Sequence, residues 1–208
     1  MQTRRSLLLA SAAVLAAGTV PAAAQGTFDT TALKQPGVLP DKTLGDPNAP
    51  VTVIEYASMT CGHCAHFHEA VFPHLKTKYI DAGKVYFVYR EFPLDALAAA
   101  VSMLARCAPG DRYFDVSGLF YSKQTEWARA ENPVEALFQL SKQSGFTRDT
   151  FNACLTDQKL LDGITASRER GAKDFKIDGT PTFFVNGKKI VGIGTIAEMD
   201  EALAPFLK

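Results

Sequence analysis

Two cysteines two residues apart, in Cys61-Gly62-His63-Cys64, are the groups in this chain best placed to do chemistry. They follow the apolar run VTVIEYAS and open a helical pattern. At a helix mouth, unpaired backbone N–H groups and the positive end of the dipole stabilise a thiolate on the more N-terminal sulfur. Cys61 is therefore the expected nucleophile and leaving group of thiol-disulfide exchange. Cys64, one turn in and facing the packed side, is the expected resolving thiol. The same spacing also serves zinc sites and plain structural bridges, so the pair alone leaves three uses open.

The surrounding residues weigh on that choice. All four histidines lie between positions 63 and 74, which is the best argument for a metal. Cys61, Cys64 and His68 would supply three ligands, but the second, distant ligand pair of structural zinc sites is missing, so neither metal nor cofactor is expected. His63, between the cysteines, would favour a thiolate on Cys61, while His66 and His74 are expected to face solvent. Glu55 interrupts the apolar run on the same side as Val51 and Val53. A carboxyl buried there would favour its neutral form and could exchange a proton with Cys64; the plainer alternative is a strand-end carboxylate reaching water.

These groups need a scaffold, and the chain patterns as one. VTVIEYAS is a run of strand formers suited to a strand covered on both faces. In AHFHEAVFPHLKTKYI, Phe67, Val71, Leu75 and Tyr79 share a helix face, and Pro73 predicts a kink. KVYFVYREFPL is a second strand, parallel to the first if the helix is the crossover. Residues 51–94 thus form a βαβ unit. Strand patterning then stops, and residues 95–176 read as a helical insertion of five helices started at Asp95, Asp111, Asn132-Pro133, Thr147 and Asp157, with a stop at Gly145. Residues 177–208 return to strands around Thr182 to Val185 and Lys189 to Val191, joined by Asn186-Gly187. A last helix follows from the Thr195/Glu198 capping box through about Leu203.

Cys107 and Cys154 fall on apolar faces of the first and fourth inserted helices, where two buried thiols are the bland expectation. If Cys61 and Cys64 pair locally, a Cys107–Cys154 bridge is the pairing that remains. It would close a loop of about 48 residues, worth about 4 kcal/mol in the chain-entropy model.

The start of the chain points to export. Arg4 and Arg5, an apolar stretch from Leu7 to Val20 and Ala22-Ala23-Ala24 make a cleavable signal over residues 1–24, shorter in its core than the roughly 20 residues a span needs. TRRSLL also resembles a twin-arginine signal, with Leu9 where that pattern often has Lys. An oxidising compartment lets disulfides persist. Cleavage removes two of the 22 basic residues and none of the 22 acidic ones, for a formal charge of −2 that gives no support to nucleic acid or anionic membrane as partners. Residues 25–50 read as an extended arm with turns at Pro36-Gly37 and Asp46-Pro47, too short for a dimerisation domain, so a monomer is expected.

From about Leu44 onward the chain resembles the DsbA-like branch of exported thiol-disulfide oxidoreductases. The resemblance rests on LGDPNAPVTVIEYASMTCGHC, YREFPL, LARC and GTPTFFVNG in that order and spacing. It implies an α/β thioredoxin fold with an inserted helical domain, attack by Cys61, resolution by Cys64, Glu55 as a buried acid beneath them, and a cis Thr180-Pro181 bond facing the cysteines. Gly62, Thr180 and Pro181 would then line a site for an incoming peptide. Implied partners are reduced, unfolded exported proteins and a membrane quinone-linked thiol oxidase of the DsbB type, in the periplasm. The chain departs from the family's type member at Gly62, where that has Pro, and at Thr180, where that has Val. Gly-His is closer to eukaryotic disulfide isomerases, and Thr before the proline recurs in bacterial ones. Isomerase or reductase activity, and a metal-binding or chaperone module without redox turnover, are the competing readings.

Overall fold

The computed structural model describes residues 28–110 and 112–207. The signal expected over residues 1–24 and the helix start expected at Asp111 lie outside them. A five-stranded sheet is built from β1 (Lys42–Leu44), β2 (Val51–Ala57), β3 (Val85–Glu91), β4 (Thr182–Val185) and β5 (Lys188–Val191), in spatial order β1-β3-β2-β4-β5. The β2 and β3 strands run parallel, and the β1–β3, β2–β4 and β4–β5 pairs are antiparallel.

Every residue of β2 is buried, as its unbroken apolar run requires of a strand covered on both faces. Alternation divides its side chains. Val51, Val53 and Ala57 pack on the layer holding Phe67, Leu75 and the inserted helices. Ile54 and Tyr56 pack on the opposite layer with Leu33, Phe92, Phe175 and Phe184. Glu55, in phase with Val53, is thereby turned beneath the cysteine helix.

The stretch expected as an extended arm folds locally. Asp29 caps α1 (Thr30–Lys34), whose Leu33 is buried, and β1 adds an edge strand to β3. Neither element is long enough to show a period in sequence. The crossover starts as α2 (Gly62–His66), passes through a π-helical turn at Phe67–Val71 into α3 (Phe72–Leu75), and ends in a second π turn at Lys76–Ile80. The first π turn ends at Val71, two positions before Pro73, whose ring lacks the N–H that a regular ladder would use. The expected inward face holds: Phe67, Val71 and Leu75 are fully buried and Tyr79 nearly so.

The insertion holds α4 (Ala96–Arg106), α5 (Tyr113–Ser122), α6 (Gln124–Ala128), α7 (Pro133–Ser141), α8 (Arg148–Leu155) and α9 (Gln158–Asp174) among the described residues. The side chains of Asp95, Asn132, Thr147 and Asp157 cap four of them. Five were expected. The extra one, α6, has no side-chain cap to announce it and is split from α5 only by the backbone at Lys123. Gly145 stops a 3-10 turn at φ 88°. In α9, Gly171 lets the helix lie against the sheet, since a Cβ there would sit 3.1 Å from the Tyr56 ring. Cys107, at the end of α4, is bridged to Cys154 of α8, with their Cα atoms 6.1 Å apart.

The closing hairpin turns through Asn186 and Gly187, both at positive φ, and β5 begins one residue earlier than the sequence suggests. Asn186 also accepts from the Thr52 N–H at 2.8 Å and so ties the hairpin to the start of β2. The Thr195/Glu198 capping box starts α10 (Ile196–Leu203).

Candidate active site

The end of β2 feeds Cys61 to the mouth of α2, where it is the N-cap residue. Gly62 and His63 are exposed above it, and Cys64 is fully buried beneath. The Thr180-Pro181 bond is cis and presents the Thr180 carbonyl, which accepts from Cys61 Sγ at 3.2 Å. Strands β2 and β4 are direct neighbours, so the two loops at their ends meet.

The two sulfurs are driven apart electrostatically. The Cys61 thiol is lowered from 9.0 to about 5, chiefly because the Cys64 thiol donates to its sulfur. Burial opposes the shift, while the backbone N–H groups of Cys64 and His63 add to it. The Thr180 hydroxyl is buried and has no hydrogen-bond partner among the described residues. Burial, the Cys61 sulfur and the negative field of Glu55 all push the Cys64 thiol well above its ordinary range. One sulfur is thus ready as an anion at neutral pH, and the other is held as a proton-bearing thiol.

Glu55 is fully buried, which excludes the strand-end alternative. It lies opposite Tyr89 on β3 and Phe183 on β4. The residue facing it is His68, whose Nε2 lies 3.0 and 3.2 Å from its two carboxylate oxygens. The His68 ring stacks on Tyr121 of α5 with centroids 4.4 Å apart, and the Tyr121 hydroxyl meets that of Tyr89 at 2.7 Å. His68 thus points inward to a carboxylate and does not join Cys61 and Cys64. Among the described residues no group of three or more His, Cys, Asp or Glu side chains is arranged to hold a metal ion. His66 stays exposed but donates to Gly194 O at 2.9 Å. His74, expected in solvent, is half-buried against Asp200 at 2.8 Å.

Residues the sequence did not flag hold the loop in front of Cys61. Asp95 caps α4 through one oxygen, and with the other accepts from the Thr60 hydroxyl at 2.7 Å. Gln124 of α6 donates to the carbonyls of Met59 at 2.8 Å and Cys61 at 3.0 Å. Only Asp95 carried a sequence signal, and that signal spoke for its cap alone. Beside the cysteines lies an open cleft of about 420 Å³, lined by His63, His66, Thr180, Pro181, Ile193 and Gly194.

This arrangement can be compared with known proteins. Residues 39–204 match the family model described as thioredoxin. The chain belongs to the thioredoxin family. Within it, the protein is DsbA-like. The crystal structure of alpha-DsbA1 from Wolbachia pipientis superposes with a TM-score of 0.78 at 32% identity, covering 86% of this chain and 96% of that one. A putative protein-disulfide oxidoreductase of Rickettsia typhi is 36% identical over 149 residues, which are 71% of this chain and 55% of the relative. The DsbA-like chain thus spans about half the length of such rickettsial relatives. Disulfide bond formation protein D of Bacillus subtilis is 26% identical over 179 residues, 84% of this chain and 80% of that protein.

Proposed function

We propose that this protein is a thiol-disulfide oxidoreductase that donates the Cys61–Cys64 disulfide to folding exported proteins. In the oxidised protein a client thiolate attacks Cys61 Sγ. The Cys61–Cys64 bond breaks, a mixed disulfide forms on Cys61, and Cys64 leaves and takes up a proton, as its strongly raised pKa favours. A second client thiol then attacks the client sulfur of the mixed disulfide, and Cys61 departs as a thiolate. The client is oxidised by two electrons and the protein is left as a dithiol. A low leaving-group pKa speeds that last step and stabilises the reduced product, so it favours donation over reduction.

The observation that carries this proposal is the contrast between a Cys61 thiol near about 5 and a Cys64 thiol pushed upward. The cis Thr180-Pro181 segment and the adjacent cleft supply a place for an extended client chain. Recharging falls to a membrane quinone-linked thiol oxidase of the DsbB type, and the signal pattern in residues 1–24 supports work in the periplasm. Cys61→Ser should abolish disulfide transfer to a reduced, unfolded client. Transfer that survives in this variant refutes the mechanism.

A further inference from the structure

We infer that Gln124 is a positioning residue for the reactive sulfur: its side-chain amide, reaching out of the helical insertion, fixes the backbone on which Cys61 stands. The inference rests on the proposed role of Cys61 as nucleophile. Gln124 Nε2 donates to Met59 O and Cys61 O at 2.8 and 3.0 Å. Met59 is wholly buried in the intact chain, so its carbonyl depends on the Gln124 amide for its partner. The Cys61 carbonyl also accepts the Ala65 N–H at 3.1 Å, the bond that begins α2. Gln124 therefore grips the peptide plane at which the helix starts. The next donors along the chain are the His63 and Cys64 N–H groups that serve the Cys61 sulfur. Any tilt of that plane moves the sulfur relative to them.

The grip is rigid because its base is braced. A continuous helix would run through Lys123, but the chain breaks there at φ −111° and ψ 15°. The Trp127 indole N–H closes the break by donating to Phe120 O at 2.7 Å, and its ring is buried. Gln124 sits at the first position of α6 as a result. On the other side of the loop, Thr60 is tied to Asp95 at the start of the same insertion. The insertion thus holds Met59, Thr60 and Cys61 in sequence, and the reactivity of a sulfur on the thioredoxin unit is set partly from outside that unit.

The test is the pH profile of Cys61 alkylation in the reduced full chain, resolved by peptide mapping. Gln124→Met keeps the volume and removes both donors. With part of one charge-assisted hydrogen bond to the sulfur lost, the midpoint should rise by about one unit, so alkylation on the acid side slows about tenfold. Arg148→Met, which removes the ion pair to Glu135 elsewhere in the insertion, should leave the midpoint in place whatever it does to melting. Gln124→Asn, one methylene short of both carbonyls, is read the same way should the Met variant not fold. An unmoved midpoint in the Gln124 variants, or an equal shift in Arg148→Met, overturns the inference and leaves the proposed function standing. An ordinary thiol midpoint in the unmutated protein removes both.

Discussion

Acidifying the reduced protein should remove a stabilising contribution that resides in one sulfur. The hydrogen bond from Cys64 holds the Cys61 thiol down at about 5 in the folded chain, against an ordinary value of 9.0. A group whose folded pKa is depressed stabilises the fold fully above its unfolded value, and that contribution is lost as pH falls through the folded one. The window therefore runs from about 9 down to about 5. At pH 7 linkage gives about 2.7 kcal/mol at full strength, which solvent around a sulfur at the cleft edge reduces to about 1–2 kcal/mol. At pH 4 it is close to zero. Urea unfolding of the reduced protein at pH 7 and pH 4, beside Cys61→Ser, reads it directly. Other titrating groups, such as Asp200 held down to about 2 by Lys78, His74 and Tyr79 against its own desolvation, act alike in both proteins and cancel. The unmutated protein should lose about 1–2 kcal/mol more than the variant between the two pH values. Parallel losses would refute the argument, because the reduced fold would then gain nothing from an ionised Cys61.

Two further outcomes follow from the packing. Replacing both Cys107 and Cys154 by Ala removes a bridge with a sequence separation of 47 and should lower unfolding stability by about 2–4 kcal/mol, with the Cys61 titration unmoved. A loss under about 1 kcal/mol in urea unfolding would mean the bridge constrains little. Glu55→Ala strips the buried His68 ring of its partner and should cost about 2–3 kcal/mol, and a double-mutant cycle with His68→Ala should show coupling. Strictly additive losses would show that the two side chains do not act as a pair.

The inward phase of Glu55, the hairpin at Asn186-Gly187 and the buried face from Phe67 to Tyr79 were legible because each rests on local periodicity or turn chemistry. Export rests on the same kind of signal, although residues 1–24 lie outside the described structure. The fold of residues 28–44 was misread because α1 and β1 are too short to carry a period, and what stabilises them is burial of Leu33 and pairing with β3. The partner of His68 was not legible for a related reason. Spacing places it one turn after Cys64, but a π turn and the phase of β2 decide that it meets Glu55.

Residue type and spacing alone picked out the Cys61/Cys64 pair, its place at a helix mouth, and the order of elements that carries it, because those properties depend on neighbours within a few residues. Tertiary structure decided what surrounds the sulfurs: the Thr180 carbonyl at 3.2 Å, the Glu55–His68 pair below, and the Gln124 amide on the loop in front. Those partners are 119, 13 and 63 positions apart along the chain, and no local pattern reports a contact that exists only once the sheet and the inserted helices have packed.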